Sequence, residues 1–206
     1  MSLTEEKAEA RKRIKALLKA MDLKEAEERS LRATDNFRAL PEYVGANIIL
    51  AFLSMGGEIQ TESLIGTALA EGKVVAVPRM ESSPEAGHFI VFVPLPRDYR
   101  SWPRDRYGIP EPPSNAQELS EEELYSASVI VATPGLAFDR RGGRLGRGKG
   151  YYDRFLSGVR AGAARLGGGV FACGFCYAAQ LMDEVPRGEG DMTVDLVVTE
   201  DGCLGR

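Results

Sequence analysis

Up to Leu40 the apolar residues recur every three or four positions; beyond it they gather into short continuous runs separated by glycine, proline and charge. Ile14, Leu17, Leu18 and Met21 share one stripe, which predicts a helix over 4–21, and Ser2 with Glu5 has the spacing of a capping box. A second helix is predicted over 23–40, closed by Pro41. The run Ala-Asn-Ile-Ile-Leu-Ala-Phe-Leu at 46–53 is nearly all apolar, as in a strand buried on both faces. Met55-Gly56-Gly57 then turns the chain, and Thr61 caps a helix reaching about Glu71. Strands follow at 73–77, stopped by Pro78, and at 89–93.

Six prolines between Pro94 and Pro113 break any regular pattern there. Trp102 and Tyr107 lie among them and need somewhere to pack, so this stretch is expected to be an ordered loop or lid rather than a linker. Ser120 opens a short helix whose acidic first turn suits the helix dipole, and an apolar strand follows at 129–132. A glycine-rich basic segment comes next, then a helix over 150–158 and strands at 170–176 and 194–199. Strands alternating with helices predict one α/β domain over 1–206 with a largely parallel sheet. Ligands in such folds bind at the loops leaving the carboxyl ends of the strands.

Composition narrows the function. A net charge of −4 argues against a protein that coats nucleic acid. The longest apolar runs fall short of the ~18 residues a membrane span needs, and the N-terminus is charged and amphipathic rather than signal-like. Three cysteines, unevenly spaced, form no disulfide framework, which suits a reducing cytoplasm. The expected protein is therefore cytoplasmic, with small molecules rather than nucleic acid or membrane as partners; a monomer is expected, though no residue pattern argues for it. Cys173 and Cys176 have redox-motif spacing, but inside a strand their side chains face opposite sides, which predicts two inert buried thiols. His88, the one histidine, begins a strand and is expected to be structural.

The chemistry concentrates between Asp139 and Arg154, where six cations meet two aspartates in an otherwise acidic chain. Gly142, Gly143, Gly146, Gly148 and Gly150 free the backbone to expose its N–H groups, and the following helix adds the positive end of its dipole. Arg144, Arg147 and Lys149 supply charged donors for phosphate oxygens. Gly143-x-x-x-x-Gly148-Lys149 matches most of a Walker A loop, but Gly150 stands where Ser or Thr would bind Mg²⁺. The metal would then need carboxylates: Asp153 first, with Asp191 or Asp195 as the second. The competing readings are a solvated basic loop and an arginine–glycine segment for RNA; the strand and helix framing it favour a bound phosphate.

Pro134-Gly-Leu-Ala-Phe-Asp139 followed by Arg144-Leu-Gly-Arg-Gly-Lys-Gly-Tyr-Tyr-Asp153 closely resembles the signature of the 5-formyltetrahydrofolate cyclo-ligase family. The resemblance runs along nearly the whole chain: Lys7 with Arg11; Phe52 to Met55 with Glu58, Ile59 and Thr61; Tyr107-Gly-Ile-Pro-Glu-Pro112; and Gln180, Pro186, Asp191-Met192, Asp195 and Val198-Thr-Glu200. It implies a three-layer α/β sandwich of the NagB/ribose-5-phosphate isomerase/CoA-transferase type. By the same resemblance Lys7, Arg11, Arg144, Leu145, Gly146, Arg147, Gly148, Lys149, Gly150, Tyr151 and Tyr152 contact ATP. Leu53, Met55, Glu58 and the stretch Arg147, Gly148, Lys149, Gly150, Tyr151 border the folate, Asp153 and Asp191 hold Mg²⁺, and Arg147 and Lys149 serve the transferring phosphate. The pattern departs at Gly56-Gly57, where relatives often carry larger polar residues.

The implied activity is ATP-dependent closure of 5-formyltetrahydrofolate to 5,10-methenyltetrahydrofolate, by phosphorylation of the formyl oxygen and attack by N10. A paralogue acting on another formylated substrate would keep the phosphate loop and lose the Glu58 segment, which is present here.

Overall fold

The structure is a computed structural model that describes residues 1–85, 87–106 and 108–205. Tyr107, one of the resembling positions, lies outside them. The N-terminal helix α1 (Leu3–Ala20) starts at the expected capping box: Ser2 Oγ accepts from Glu5 N–H, and the Glu5 carboxylate accepts from Ser2 N–H. Helix α2 (Leu23–Arg38) is capped by Asp22, whose Oδ1 accepts from the N–H groups of Lys24 and Glu25. Pro41 does close that helix, but it also opens a short one, α3 (Pro41–Gly45), because a proline at N1 sacrifices no helical donor.

The remaining elements are β1 (Ile48–Leu50), α4 (Glu62–Ala70), β2 (Val74–Ser83), β3 (Gly87–Pro94), α5 (Glu121–Ser126), β4 (Ser128–Thr133), β5 (Ala137–Phe138), β6 (Arg144–Leu145), α6 (Tyr151–Leu166), β7 (Gly169–Phe175), β8 (Leu196–Thr199) and β9 (Gly202–Leu204). Seven strands form one sheet in the order β3-β2-β1-β4-β7-β8-β9. The inner pairs are parallel, and β3 and β9 close the two edges antiparallel. Strands β5 and β6 make a separate small hairpin.

Alternation along the strands makes three layers. Ile49, Val75, Ile130, Cys173 and Val198 face one core with Ile14 of α1, Phe37 of α2 and Leu64 of α4. Their neighbours Ile48, Leu50, Val131, Ala172 and Val197 face the other with Leu124 of α5 and Leu156 of α6. Strands covered on both faces need no polar side, hence the continuous apolar runs.

Three expectations are corrected. Strand β2 continues through Pro78 to Ser83, because its pairing with β1 ends at Ala76; beyond that it bonds only to β3, and the proline's missing N–H costs no ladder bond. Strand β1 is shorter than the run 46–53, since Ala51 onward turns into the loop above the sheet. The hairpin of β5 and β6 and the edge strand β9 were hidden in the sequence by their brevity. No helix among the described residues is long and apolar enough to cross a membrane.

Cys173 packs into the core on the α1 side and Cys176 into the opposite one, and burial pushes both thiols well above the usual range. Of the three cysteines only Cys203 is exposed. A thiol-reactive dye should therefore label Cys203 alone in the native protein and all three after denaturation. Fast native labelling of Cys173 or Cys176 would contradict the two-core placement.

Candidate nucleotide and substrate site

Strand order determines where a ligand can enter. From β1 the chain crosses to β2 on one side, and from β4 it crosses to β7 on the other, so the loops after β1 and β4 part above two adjacent parallel strands. That parting is a switch-point crevice. The loop after β1 carries the Glu58 segment and the loop after β4 carries the glycine segment.

The first loop is tightly braced. Thr61 does not cap α4 with its side chain as expected; its hydroxyl donates to Phe52 O instead, at 2.5 Å. Ser54 Oγ donates to Ile59 O at 2.7 Å and accepts from Thr61 N–H at 2.9 Å. Gly57 has φ +83°, so this half of the departing Gly56-Gly57 pair is required by the turn rather than a source of looseness. Glu58 accepts through Oε2 from Met55 N–H at 3.0 Å. Met55 is half-buried beside it, and Leu53 packs against the core below.

The second loop is two structures in series. Pro134 to Leu145 folds into the β5–β6 hairpin, and residues 146–150 form the loop proper before α6. The hairpin hangs on Asp139, which is 1% exposed. Its Oδ1 accepts from Arg141 and Gly143 N–H at 2.8 Å each, and its Oδ2 from Val185 N–H at 2.9 Å. Burial pushes this carboxyl up, but the three backbone donors prevail and hold it below the ordinary aspartate value. Gln180 adds a second brace, donating to the carbonyls of Gly135 and Leu136 at 2.8 and 3.1 Å. Asp139 had no assigned role in the sequence, although Asp followed by Gly142-Gly143 is a side-chain turn signal.

Among the described residues, the backbone N–H groups of Gly146, Arg147, Gly148, Lys149 and Gly150 donate to nothing. Gly150, at φ +67°, then starts α6 without a side-chain cap, leaving that helix's first turn open as well. A run of unpaired donors at the positive end of a 16-residue helix has the donor geometry and dipole that suit an anion.

Side chains distant in sequence converge on this loop. Arg11 Nε donates to Gly146 O at 3.0 Å, and Lys7 pairs with Asp191. Arg147 meets Glu58 Oε1 through Nη2 at 2.6 Å, joining the two loops across the crevice. Arg144 lies beneath the loop with its side chain 3% exposed, bonded to Asp153 Oδ1 at 2.6 Å and set 5.9 Å from the Tyr152 ring. Its Nε and the Tyr152 hydroxyl are both buried without a partner among the described residues. Burial, and then the charge of Glu58, raise the Tyr152 hydroxyl above the usual phenol range. Lys149 is exposed and pairs with no carboxylate among the described residues.

Asp153 and Asp191 stand close, since Met192 N–H donates to Asp153 Oδ1 at 3.1 Å. Asp191 Oδ2 takes Lys7 and Gly188 N–H; burial pushes this carboxyl up, but those donors outweigh it and hold it below its ordinary value. Among the described residues each aspartate keeps one oxygen without a hydrogen bond. The pair fits a Mg²⁺ ion that takes its other ligands from phosphate and water. It does not make an all-protein cage, and no cluster of three or more metal-ligating side chains occurs among the described residues. Asp195, the other sequence candidate, is engaged elsewhere: it precedes β8, and its Oδ2 accepts from Arg160 and from Ala172 N–H of β7. A cleft of about 650 Å³ adjoins the site between the start of α1 and residues 182–191, with Asp191 on its wall.

Residues 3–200 match the model of the 5-formyltetrahydrofolate cyclo-ligase family. The chain is 30% identical over 194 residues to the 5-formyltetrahydrofolate cyclo-ligase of Mus musculus, covering 93% of this chain and 92% of that protein. It is similar to the NMR structure of Aquifex aeolicus 5,10-methenyltetrahydrofolate synthetase, with a TM-score of 0.74 and 28% identity over 97% of this chain and 92% of that one. A 5,10-methenyltetrahydrofolate synthetase from Mycoplasma pneumoniae shares the fold, at a TM-score of 0.67 and 16% identity over 94% and 98% of the two chains.

The hairpin's dependence on Asp139 can be measured. Asp139→Asn turns one acceptor oxygen into an amide that faces an N–H, which should cost about 1–3 kcal/mol in urea denaturation at pH 7. A carboxyl depressed in the folded chain stabilises above the ordinary aspartate pKa of ~3.9 and loses that contribution as pH falls through its lower folded value. The gap between wild type and variant should accordingly close in acid below that range. Equal urea midpoints at pH 7 would contradict the bracing role.

Proposed function

The chain belongs to the 5-formyltetrahydrofolate cyclo-ligase family, and from this premise we propose that it closes 5-formyltetrahydrofolate to 5,10-methenyltetrahydrofolate, consuming ATP to ADP and phosphate. The observation that carries the reading is the row of unpaired N–H groups from Gly146 to Gly150, crowned by the free ammonium of Lys149 and facing Glu58 across the crevice.

Ring closure requires N10 to attack the formyl carbon on N5 and the formyl oxygen to leave, yet hydroxide is a poor leaving group. Phosphorylation removes the obstacle. The formyl oxygen attacks the γ-phosphorus as the bond to ADP breaks, giving an N5-iminophosphate. N10 then attacks the carbon, the C–O bond breaks with its electron pair leaving on phosphate, and the N10 proton passes to solvent.

Such transfer depends on positioning and charge. The loop N–H groups and Lys149 receive the phosphates. Arg147 swings from Glu58 to the transferring group, and the unpartnered Nε of Arg144 offers a further donor. Tyr152 and Leu145 shape the nucleotide side of the loop. Lys7 and Arg11 flank the nucleotide, whose base and ribose enter the cleft beside Asp191. Glu58, released from Arg147, accepts two hydrogen bonds from the amino-pyrimidine edge of the pterin, with Leu53, Met55 and Tyr151 bordering the folate. Asp153 and Asp191 would hold Mg²⁺, which would supply neutralising charge to the phosphate oxygens. On the same reading the protein acts in the cytoplasm as a monomer with small-molecule partners only, which its acidic net charge and free thiols support.

Methenyltetrahydrofolate absorbs where the substrate does not, so turnover is followed directly on mixing protein, Mg-ATP and 5-formyltetrahydrofolate, with ATP omitted from a parallel sample. Lys149→Ala should lower turnover at least a hundredfold with the fold intact; near-normal turnover would remove Lys149 from the mechanism. Glu58→Gln should act oppositely on the two substrates. It frees Arg147 from an exposed ion pair worth about 0.2–1 kcal/mol, so calorimetric ATP affinity should rise by up to ~5-fold while folate affinity falls. ATP binding that weakened or stayed equal would show that Arg147 does not exchange partners.

A further inference from the structure

Arg154 follows the phosphate loop by one turn of α6 and carries no role in the resemblance or in the reading above. Its Nη2 donates to His88 O at 2.7 Å and to Lys149 O at 3.3 Å. Its guanidinium lies 5.5 Å from the Tyr151 ring, which in turn meets the His88 ring edge-on at 6.5 Å. Space is close: a Cβ on Gly150 would come within 2.9 Å of Arg154 Nη1. No carboxylate among the described residues pairs with Arg154. Among the described residues its hydrogen bonds go to main-chain oxygen.

The loop lacks internal hydrogen bonds from its own N–H groups, so something external must hold its peptide planes. A trans peptide is planar with C=O and N–H pointing opposite ways. Holding the Lys149 carbonyl therefore aims the Gly150 N–H to the other side. Arg11 does the same one turn earlier, where its bond to Gly146 O aims the Arg147 N–H. Left-handed backbone at Gly148 and Gly150 makes these planes easy to rotate, which is why the outer grip matters. The second bond, to His88 O, anchors that grip to the start of β3.

We propose that Arg154 is a positioning residue for the phosphate: it grips the Lys149 carbonyl, turns the Gly150 N–H toward the nucleotide's phosphates, and ties the loop to β3. This rests on the nucleotide reading given above. Because the contact is exposed, its loss should act on phosphate binding far more than on the fold.

The test compares wild type, Arg154→Ala and Arg154→Lys for ATP and adenosine binding by calorimetry, for steady-state constants, and for melting temperature. The expected result for Arg154→Ala is an ATP affinity about tenfold weaker, the loss of roughly one well-placed hydrogen bond, with adenosine binding, folate KM and melting temperature unchanged. Arg154→Lys, whose ammonium still donates to a carbonyl, should recover most of that loss. ATP affinity in Arg154→Ala equal to wild type would overturn the proposal, and so would a parallel fall in ATP binding, folate binding and melting temperature. A wild-type protein without ATP affinity would instead overturn the nucleotide reading itself, so the two failures are told apart.

Discussion

A chain leaving the buried strand β4 must reach the start of α6 while keeping a stretch of backbone N–H groups unpaired. Unpaired donors are unfavourable in a folded protein unless water or a ligand meets them. The segment therefore cannot hold itself, and its surroundings are arranged to hold it from outside. Asp139 and Gln180 brace the hairpin below, Arg144 supports the loop from beneath, and Arg11 grips a loop carbonyl. Both ends of the chain are recruited: Arg11 lies 135 positions from its partner Gly146, and Lys7 lies 184 from Asp191.

The charges obey a second constraint. Clustered cations repel one another unless carboxylates offset them, and here Lys7, Arg144 and Arg147 are each met by one. Asp191 meets Lys7, Asp153 meets Arg144 and Glu58 meets Arg147. These carboxylates also belong to the proposed chemistry, two for the metal and one for the pterin. In the proposed reaction, ligand binding would exchange partners within a set already assembled. The Arg147–Glu58 pair is the most open of the three, with Arg147 43% exposed, and so is the least costly to part.

Much of this was legible in the sequence. The capping box at Ser2, the short helix opened by Ser120, the continuous apolar strands and the divergent Cys173 and Cys176 follow from local patterns that the packing respects. The glycine-rich motif pointed to its family and so to the fold. What failed to show depends on neighbours. Pro78 breaks a strand only if both sides are paired, and whether β1 reaches that far is a matter of register. Strands as short as β5, β6 and β9 have too few residues to display a period. In the site, residue type suggested Arg144 as a phosphate ligand, whereas its burial against Asp153 is a tertiary fact. Asp195 looked as eligible as Asp191 until the fold tied it to Arg160 and the β7 backbone, and set Asp191 beside Asp153.

The claim at the centre is that the amides following β6 stand ready for a nucleotide's phosphates. Hydrogen–deuterium exchange resolved to single amides, with and without Mg-ATP, addresses it directly. The account predicts fast exchange at Gly146 through Gly150 in the free protein and strong protection there once the nucleotide is present. Protection confined to other segments, with those five amides exchanging as before, would contradict it.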